Sequence, residues 1–230
     1  MTLTFEPAPG VLAPTTTGDS FPVRRLFCIG QNYAAHAREM GKDPDRDPPM
    51  FFTSWADNVV PDGSVIAYPQ ATSDYHHEIE LVIAIGKSGR NVSEDQALDL
   101  VYGYAAGLDM TRRDLQSIAK NAGRPWDVAK NVEQSKPLGP IRPAAGFDAS
   151  NGAITLSVNG QLKQKGDLAD MIWSVPEVLA HISRYYRLEP GDLIYTGTPA
   201  GVGPVVEGDV LVGAIDGLGE LTVTIGSPAN

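Results

Sequence analysis

The chain has 230 residues, of which 42% are hydrophobic and 20% charged, and it carries a formal net charge of −10. This length and composition are typical of a globular protein with a sizeable core, and they exclude a disordered, coiled-coil or collagen-like chain. A strongly negative surface repels phosphate backbones and anionic lipid, so we expect neither nucleic acid nor a membrane as a partner. The single cysteine, Cys28, excludes a disulfide framework and a thiolate metal cluster.

The N-terminal segment has neither the basic region nor the apolar region of a secretory signal. No apolar run approaches the ~18 residues that are needed to span a bilayer. These features predict a cytoplasmic protein. Residues 1–20 are rich in Pro, Thr and Gly without periodicity and are predicted to be an N-terminal extension, whereas residues 21–230 are predicted to form one domain.

The first predicted strand covers residues 24–30, an apolar run that ends in glycine. Asn32 then has the character of a helix cap, and the helix is expected to run through Met40, with Gly41 at the position after the C-cap. Residues 42–49 are rich in Asp and Pro and predict an exposed loop, a candidate lid.

Three further helices carry start signals. Residues 93–96 (Ser-Glu-Asp-Gln) and 174–177 (Ser-Val-Pro-Glu) have the spacing of a capping box. Thr111 is the expected cap of a helix over residues 112–120.

Strands dominate the rest of the chain. Residues 79–85 form a clear strand, and residues 154–158 and 161–165 flank Asn159-Gly160, the favoured two-residue hairpin turn. Gly and Asp pairs then recur about every dozen residues in the C-terminal third, a spacing typical of antiparallel structure. The expected fold class is therefore α+β and β-rich, a roll or sandwich with short helices, and not a series of βαβ units.

Two carboxylates lie on one face of the strand over residues 79–85 and its N-terminal flank. Side chains alternate along a strand, so Glu78 and Glu80 share the face that continues as Val82 and Ala84. Because both faces of this strand are apolar, we expect it to be buried on both. Two buried carboxylates repel each other unless a cation neutralises them, and a hard divalent metal would do so. The alternative is that both are solvated at a strand end.

Asp109 is the candidate third oxygen ligand, because it ends a run of small residues that predicts a close-packed strand. It could equally be an ordinary acidic residue before a helix. An oxygen-only donor set of Glu78, Glu80 and Asp109 favours Mg²⁺ or Mn²⁺ over zinc.

His36 and Glu39 are three residues apart on the first predicted helix and therefore share a face. A carboxylate on one imidazole nitrogen leaves the other nitrogen able to accept a proton from water. A surface pair is the alternative. Lys130 and the Arg112-Arg113 pair are candidate binders of an acidic substrate, unless they lie on the solvated surface.

Two other features have a simpler interpretation. Cys28, in its apolar strand, is expected to be a small core residue. The glycine-rich residues 197–204 lack the Lys-Ser/Thr of a nucleotide-triphosphate loop and the third glycine of a dinucleotide site. Their backbone amides remain potential donors to an anionic or carbonyl group.

Taken together, five stretches resemble the fumarylacetoacetate hydrolase family, and the resemblance runs from about residue 22 to residue 225. Within the family they look most like bacterial fumarylpyruvate and other acylpyruvate hydrolases. The stretches are residues 28–40 (CIGQNYAAHAREM), 76–81 (HHEIEL), 107–116 (GLDMTRRDLQ), 170–176 (DMIWSVP) and 195–203 (YTGTPAGVG).

The resemblance implies that residues 21–230 are a catalytic domain with a mixed β-roll core, usually assembled as a homodimer. It implies Mg²⁺ or Mn²⁺ held by Glu78, Glu80 and Asp109, and a His36–Glu39 dyad that activates water. It places Lys130 and Thr198 among the groups that contact the substrate, with Arg112, Arg113 and Gln116 as looser candidates. The chain departs from the usual pattern at Gln31, where many relatives have Arg, and at residues 54–55 and 131–132.

The implied activity is hydrolysis of a carbon–carbon bond in a 2,4-dioxo acid, such as fumarylpyruvate cleaved to fumarate and pyruvate in aromatic-compound catabolism. The partner is then a small dioxo acid. The same metal site would also suit an oxaloacetate decarboxylase or a keto–enol isomerase of unsaturated dioic acids. A catalytically silent binding homologue is the remaining alternative.

Overall fold

The structure, a computed structural model, describes residues 3–6, 8–39 and 48–228. Met40, Gly41 and residues 42–47 of the expected loop lie outside this range. The strands are β1 (Leu12–Pro14), β2 (Ser20–Pro22), β3 (Arg25–Gly30), β4 (Met50–Ser54), β5 (Val59–Pro61), β6 (Val65–Ala67), β7 (Tyr75–His77), β8 (Ile79–Ile85), β9 (Val101–Leu108), β10 (Thr111–Arg112), β11 (Lys136–Leu138), β12 (Arg142–Pro143), β13 (Ala153–Val158), β14 (Gln161–Asp167), β15 (Asp192–Tyr195), β16 (Gly203–Pro204), β17 (Val210–Ile215) and β18 (Gly219–Gly226). The helices are α1 (Ala34–Glu39), α2 (Glu94–Ala97), α3 (Arg113–Asn121), α4 (Asp127–Lys130) and α5 (Val175–Tyr185), with 3₁₀ turns at Ala56–Asn58, Leu98–Leu100 and Leu168–Asp170.

Two large sheets dominate the fold. The central sheet has the order β4-β3-β15-β8-β9-β11-β5, with β12 paired to β9, and the second has the order β14-β13-β17-β18-β6. Most neighbours are antiparallel, and the parallel pairs are β15 with β3, β11 with β5 and β18 with β6. Two small sheets, β10-β7-β16 and β1-β2, complete the arrangement. This mixed β-roll with short helices confirms the β-rich α+β fold class.

Strand β8 is buried on both faces, as its sequence predicts. Ile79, Leu81 and Ile83 belong to the larger core cluster, which also includes inward residues of the second sheet and of α5. Val82 and Ala84 point the other way, into a second cluster that contains Cys28. Glu78 and Glu80 share the direction of Val82, so the strand directs both carboxylates into the protein.

The predicted hairpin is present between β13 and β14. Asn159 and Gly160 have φ angles of 52° and 76°, the left-handed conformation that a tight hairpin turn with this twist requires. At the start of α5 the Glu177 carboxylate accepts hydrogen bonds from the backbone N–H and the hydroxyl of Ser174, at 2.9 and 2.8 Å, so this capping box forms. At α2 the Ser93 hydroxyl instead bonds to the Gln96 side chain.

Two predicted helix caps are wrong. The Asn32 amide donates to the backbone oxygens of Trp173 and Thr196, at 3.0 and 2.8 Å, and its oxygen accepts the Trp173 N–H at 2.7 Å. Thr111 lies in β10, and α3 begins only at Arg113. The Asn32 amide and the Thr111 hydroxyl, which accepts a hydrogen bond from Lys130 Nζ, both contact residues that are distant along the chain, and local capping patterns do not reveal such contacts.

Part of the predicted N-terminal extension packs against the core. Strand β1 pairs with β2, and Ala13, 2% exposed, lies in the second core cluster beside Phe21 and Val23. The expectation that residues 1–20 stand outside the core is therefore wrong for this segment, because pairing with β2 turns Ala13 inward. A domain boundary near residue 20 stays a prediction.

Candidate active site

Three carboxylates converge where β8 and β9 meet. Glu78 precedes β8, Glu80 lies within it opposite Gly107, and Asp109 directly follows β9. The Asp109 N–H donates to the Glu78 backbone oxygen at 2.9 Å, which extends the strand pairing and holds the acids side by side. Carboxylate oxygens of the three residues all lie within 4.8 Å of one another, and all three side chains are buried.

Lys130, at the end of α4, binds two of these carboxylates. Its Nζ lies 2.7 Å from Glu78 Oε2, 2.9 Å from Asp109 Oδ2 and 2.7 Å from the Thr111 hydroxyl. Burial lowers the pKa of Lys130, but the two carboxylates outweigh that effect and raise it above its usual value. The ammonium therefore stays charged in the interior.

Two cations form ion pairs with Glu78 in the interior. Besides Lys130, the Arg113 guanidinium donates to Glu78 Oε1 and to the Gln116 side chain. Burial alone would raise the pKa of Glu78, but the Lys130 and Arg113 cations hold it well below its usual range.

Lys136 is a third buried cation, which our sequence reasoning missed. It begins β11, is 0% exposed, and its Nζ lies 2.6 Å from Asp109 Oδ1 and 2.9 Å from the Lys130 backbone oxygen. The only sequence signal was a lysine at the head of a short apolar run, Lys136–Leu138. Its role depends on β11 lying beside β9, which only the fold reveals.

Glu80 differs from the other two acids, because within the described residues its carboxylate accepts a hydrogen bond from a backbone group, the Gly197 N–H, at 2.8 Å. Burial raises the pKa of Glu80 well above its usual value, and the nearby Asp109 and Glu78 carboxylates raise it further. The donor set consists of oxygens alone, and among the described residues no cation forms an ion pair with Glu80. These features fit a hard divalent cation such as Mg²⁺ or Mn²⁺, held by Glu78, Glu80 and Asp109.

The predicted dyad is formed on α1. His36 Nδ1 lies 3.1 Å from Glu39 Oε2, and the Gly201 N–H donates to both oxygens of the same carboxylate, at 3.3 and 3.2 Å. Glu39 thus accepts the proton of Nδ1, which leaves Nε2 as the acceptor in a neutral ring. Gly201 has a φ of 95°, and a Cβ there would lie 2.2 Å from the Lys163 backbone oxygen, so this approach requires glycine.

One cavity brings most of these groups together. The predicted site residues that line it are His36, Glu78, Glu80, Asp109, Arg113, Gln116, Lys130 and Thr198. Ile29, Gly30, Gln31, Phe52, Lys120 and Trp126 also line it, and of these our sequence reasoning noted only Gln31, as a departure from the family pattern. A carboxylate cluster therefore faces an imidazole across a shared space.

Two predicted site residues do not line this cavity. Glu39 contacts His36 but does not itself line the cavity. Arg112 donates from Nη1 to the Val128 backbone oxygen at 3.0 Å, because alternation along β10 turns it away from Thr111, which faces Lys130. Arg112 has no contact with the carboxylate cluster among the hydrogen bonds of the described residues.

Thr198 is held by Gln164 of β14. The Gln164 amide donates to the Thr198 hydroxyl at 2.8 Å and to the Pro199 backbone oxygen at 2.9 Å. The Thr198 oxygen is therefore an acceptor in that contact, and its own hydrogen can point into the cavity. Gln164 was not singled out in the sequence, where it alternates with lysines on an exposed hairpin.

Of the residues that depart from the family pattern, some line the cavity and others do not. Gln31, with a φ of 61°, lines the cavity. Ser54 is buried but lies outside the cavity lining, and its hydroxyl accepts a hydrogen bond from Asn58 at 3.2 Å. Only the Gln31 change therefore alters the described cavity wall directly.

The chain is similar to proteins with known names. It is 51% identical to a fumarylpyruvate hydrolase of Ralstonia sp over 81% of this chain and 98% of that protein. It is 40% identical to the oxaloacetate tautomerase YcgM of Escherichia coli, over 86% of this chain and 90% of that protein. A crystal structure of fumarylpyruvate hydrolase from Pseudomonas aeruginosa, in complex with Mn²⁺ and pyruvate, matches with a TM-score of 0.95 and 50% identity, covering 98% of this chain and all of that chain.

In the part of the chain that the structure describes, no helix has the length and apolar character needed to cross a membrane. The family model for the fumarylacetoacetate hydrolase C-terminal domain matches residues 25–226. These residues include the carboxylate cluster, the dyad and both large sheets. The chain therefore belongs to the fumarylacetoacetate hydrolase family.

Proposed function

We propose that this protein is a metal-dependent hydrolase that cleaves a carbon–carbon bond in a 2,4-dioxo acid, with fumarylpyruvate as the leading substrate. The observation that carries the proposal is the buried cluster of Glu78, Glu80 and Asp109 facing His36 in one cavity. The similarity to fumarylpyruvate hydrolases over most of the chain selects this reaction among those that such a site suits.

A divalent cation held by the three carboxylates would offset the negative charge that develops on the oxygens of the pyruvate half. His36, held by Glu39, accepts a proton from water at Nε2. The resulting hydroxide attacks the C4 carbonyl carbon, the C3–C4 bond breaks, and its electron pair leaves with C3. His36 then returns the proton to C3, so that fumarate and pyruvate are the products.

Thr198 is the better placed donor for an oxygen that becomes negative during attack. All three N–H groups of Lys130 are directed to Glu78, Asp109 and Thr111, so a contact between Lys130 and substrate requires one of these bonds to be released. The Thr198 hydroxyl needs no such release, since it accepts from Gln164 and keeps its own hydrogen.

Oxaloacetate tautomerisation is the second candidate, favoured by the 40% identity to the Escherichia coli enzyme of that name. It moves protons between carbon and oxygen and needs no nucleophilic water. Decarboxylation of oxaloacetate would use the same cluster and release CO₂. A silent homologue would bind the cation and turn over none of these acids.

The test is loss of the enol absorbance of fumarylpyruvate and acetylpyruvate with purified protein, Mg²⁺ or Mn²⁺, and an EDTA control. We expect metal-dependent loss with one pyruvate formed per substrate consumed. Enol loss without pyruvate would indicate isomerisation, and CO₂ release from oxaloacetate without acylpyruvate cleavage would indicate decarboxylation. Cation binding without any turnover would support the silent homologue.

We further propose that Mg²⁺ is a physiological cofactor, that the protein works in the cytoplasm as a homodimer, and that its substrate arises in aromatic-compound catabolism. The support is the family resemblance and, for the cytoplasm, the single free cysteine, buried Cys28. Light scattering coupled to gel filtration tests the dimer. Activity titrations with Mg²⁺ and Mn²⁺ test the metal.

A further inference from the structure

Helix α3 presents three polar side chains to the cavity from one face. Arg113, Gln116 and Lys120 all line it, and their spacing of three and four residues places them on one side of a helix. Lys120 is half-buried. It lies two turns beyond Arg113, about 10 Å along the axis at a rise of about 1.5 Å per residue.

The cations that line the cavity fall into two groups. Arg113 and Lys130 belong to the carboxylate cluster, since both donate to Glu78. Lys120 stands at the other end of the α3 face. The cavity therefore has an acidic end, suited to a divalent cation and the 2-oxo acid group, and a cationic position two helical turns away.

An aromatic wall accompanies the acidic end. The ring of Phe52 lies 5.5 Å from Lys130 Nζ, and its centroid is 5.9 Å from that of Trp126. Both rings line the cavity together with Ile29. Such a wall suits a flat, unsaturated carbon chain better than a hydrated polar one.

We infer that Lys120 binds the distal carboxylate of the substrate and makes the site selective for seven-carbon dioxo diacids over acylpyruvates with an uncharged acyl end. The inference rests on the proposed function. An extended seven-carbon chain with C–C bonds of about 1.5 Å spans roughly 7.5 Å between its terminal carbons. This length is comparable with the rise of about 10 Å that separates Arg113 from Lys120 along the axis of α3.

The same placement of Lys120 predicts the direction of selectivity. A substrate with a carboxylate at its far end pairs with the half-buried ammonium of Lys120, whereas a methyl or alkyl end offers that ammonium no charge-assisted hydrogen bond. Acetylpyruvate, which lacks the distal carboxylate, is therefore the weaker substrate.

The first test compares kcat/KM for fumarylpyruvate and acetylpyruvate in the native protein and in Lys120→Met. We expect the ratio of the two values to fall by about 10- to 100-fold in the variant, the range for losing a hydrogen bond to a charged group. Lys120→Arg should recover part of the ratio. Lys87→Met is the matched control, because Lys87 is exposed beyond the opposite end of β8 and should leave the ratio unchanged.

The second test measures binding without cleavage. 2-Oxoheptanedioate and 2-oxoheptanoate have the same length and differ only in the distal carboxylate. Calorimetry on the Mn²⁺-loaded protein should show tighter binding of the diacid, and Lys120→Met should abolish most of that difference. If Lys120→Met loses the same affinity for both ligands, or loses affinity for neither, the inference is overturned.

The two tests separate failure of the inference from failure of the proposed function. If the native protein cleaves both acylpyruvates and Lys120→Met leaves their ratio intact, the function stands and the inference is wrong. If no dioxo acid is cleaved, the proposed function is wrong. Binding of 2-oxoheptanedioate and 2-oxoheptanoate then still decides whether Lys120 binds a distal carboxylate.

Discussion

Glu39 holds His36 from the side opposite the reacting nitrogen: its Oε2 lies 3.1 Å from His36 Nδ1, while the Gly201 N–H donates to the same carboxylate. The imidazole is therefore positioned by a residue three places away in sequence, and that residue is held in turn by a loop 162 residues further along the chain. This arrangement makes Nε2 the proton acceptor of the site.

Replacing His36 with alanine should lower kcat for acylpyruvate cleavage by about 10²- to 10⁴-fold, the usual contribution of a general base. Glu39→Gln should lower it less, because the amide can still contact the ring but no longer selects its tautomer. Steady-state kinetics at saturating metal measure both. Binding of Mn²⁺, followed by electron paramagnetic resonance, is the control, since neither residue belongs to the carboxylate cluster. An unchanged kcat in His36→Ala would mean that another group activates water.

Glu80→Gln should remove most of the affinity for Mn²⁺ and with it the metal-dependent activity. The amide keeps the volume and can accept the Gly197 N–H, but it lacks the charge that a hard cation requires. Calorimetric titration of Mn²⁺ into the EDTA-treated, desalted variant checks the affinity. Glu94→Gln, on α2 at the surface, is the matched control. Turnover that survives in EDTA would contradict the assignment of the cation site.

The same Glu80→Gln change should stabilise the metal-free protein at neutral pH. Burial and the Asp109 and Glu78 carboxylates raise the pKa of Glu80, so the ionised form of Glu80 destabilises the fold. As the pH falls through the raised pKa toward the usual value of 4.5, native Glu80 takes up a proton and this penalty disappears. The stability difference between variant and native protein should therefore be largest at high pH and vanish near pH 4.5. Urea denaturation in EDTA across pH 4.5–8.5 measures it; a difference that grows toward acid would have the wrong sign.

Lys130→Met should destabilise the metal-free protein by about 3 kcal/mol or more, the cost of removing one partner from a buried ion pair. Glu78 and Asp109 would each lose a hydrogen-bonded cation in the interior. Because the pKa of Lys130 is raised, this contribution is present through neutral pH and is lost only as the pH rises past a value above 10.5. The urea midpoint of Lys130→Met should be lower than that of the native protein by the same amount at pH 7 and at pH 8.5. A midpoint equal to that of the control variant Lys87→Met would refute the role given to Lys130.

The local features of the fold follow from sequence pattern alone. Strand β8 is apolar at every position from Val82 to Ile85, which determines its burial on both faces, and Asn159-Gly160 determines the hairpin of β13 and β14. The side-chain alternation of a strand likewise determines that Glu78 and Glu80 point the same way. Each of these follows from residues within a few positions of one another, where backbone geometry leaves few choices.

The family motifs also identify most residues of the site, although these residues are far apart along the chain. His36, Glu78, Glu80, Asp109, Lys130 and Thr198 come from five parts of the chain, and the structure places all of them on one cavity. No spacing rule links them, since they depend on β15 lying between β3 and β8. The motifs contain all of these residues except Lys130, and they match the family as an ordered group, whereas each residue taken singly has an ordinary structural explanation.

The partners of these residues were decided only by the tertiary structure. Lys136 reaches Asp109 because β11 pairs with β9, and Gln164 reaches Thr198 because β14 lies beside the loop after β15. Arg112 is turned away from the cavity by a two-residue strand whose register nothing local specifies. Strand order and register are set by packing between segments that are distant in sequence, so the electrostatic surroundings of the carboxylates could not be obtained from the chain alone.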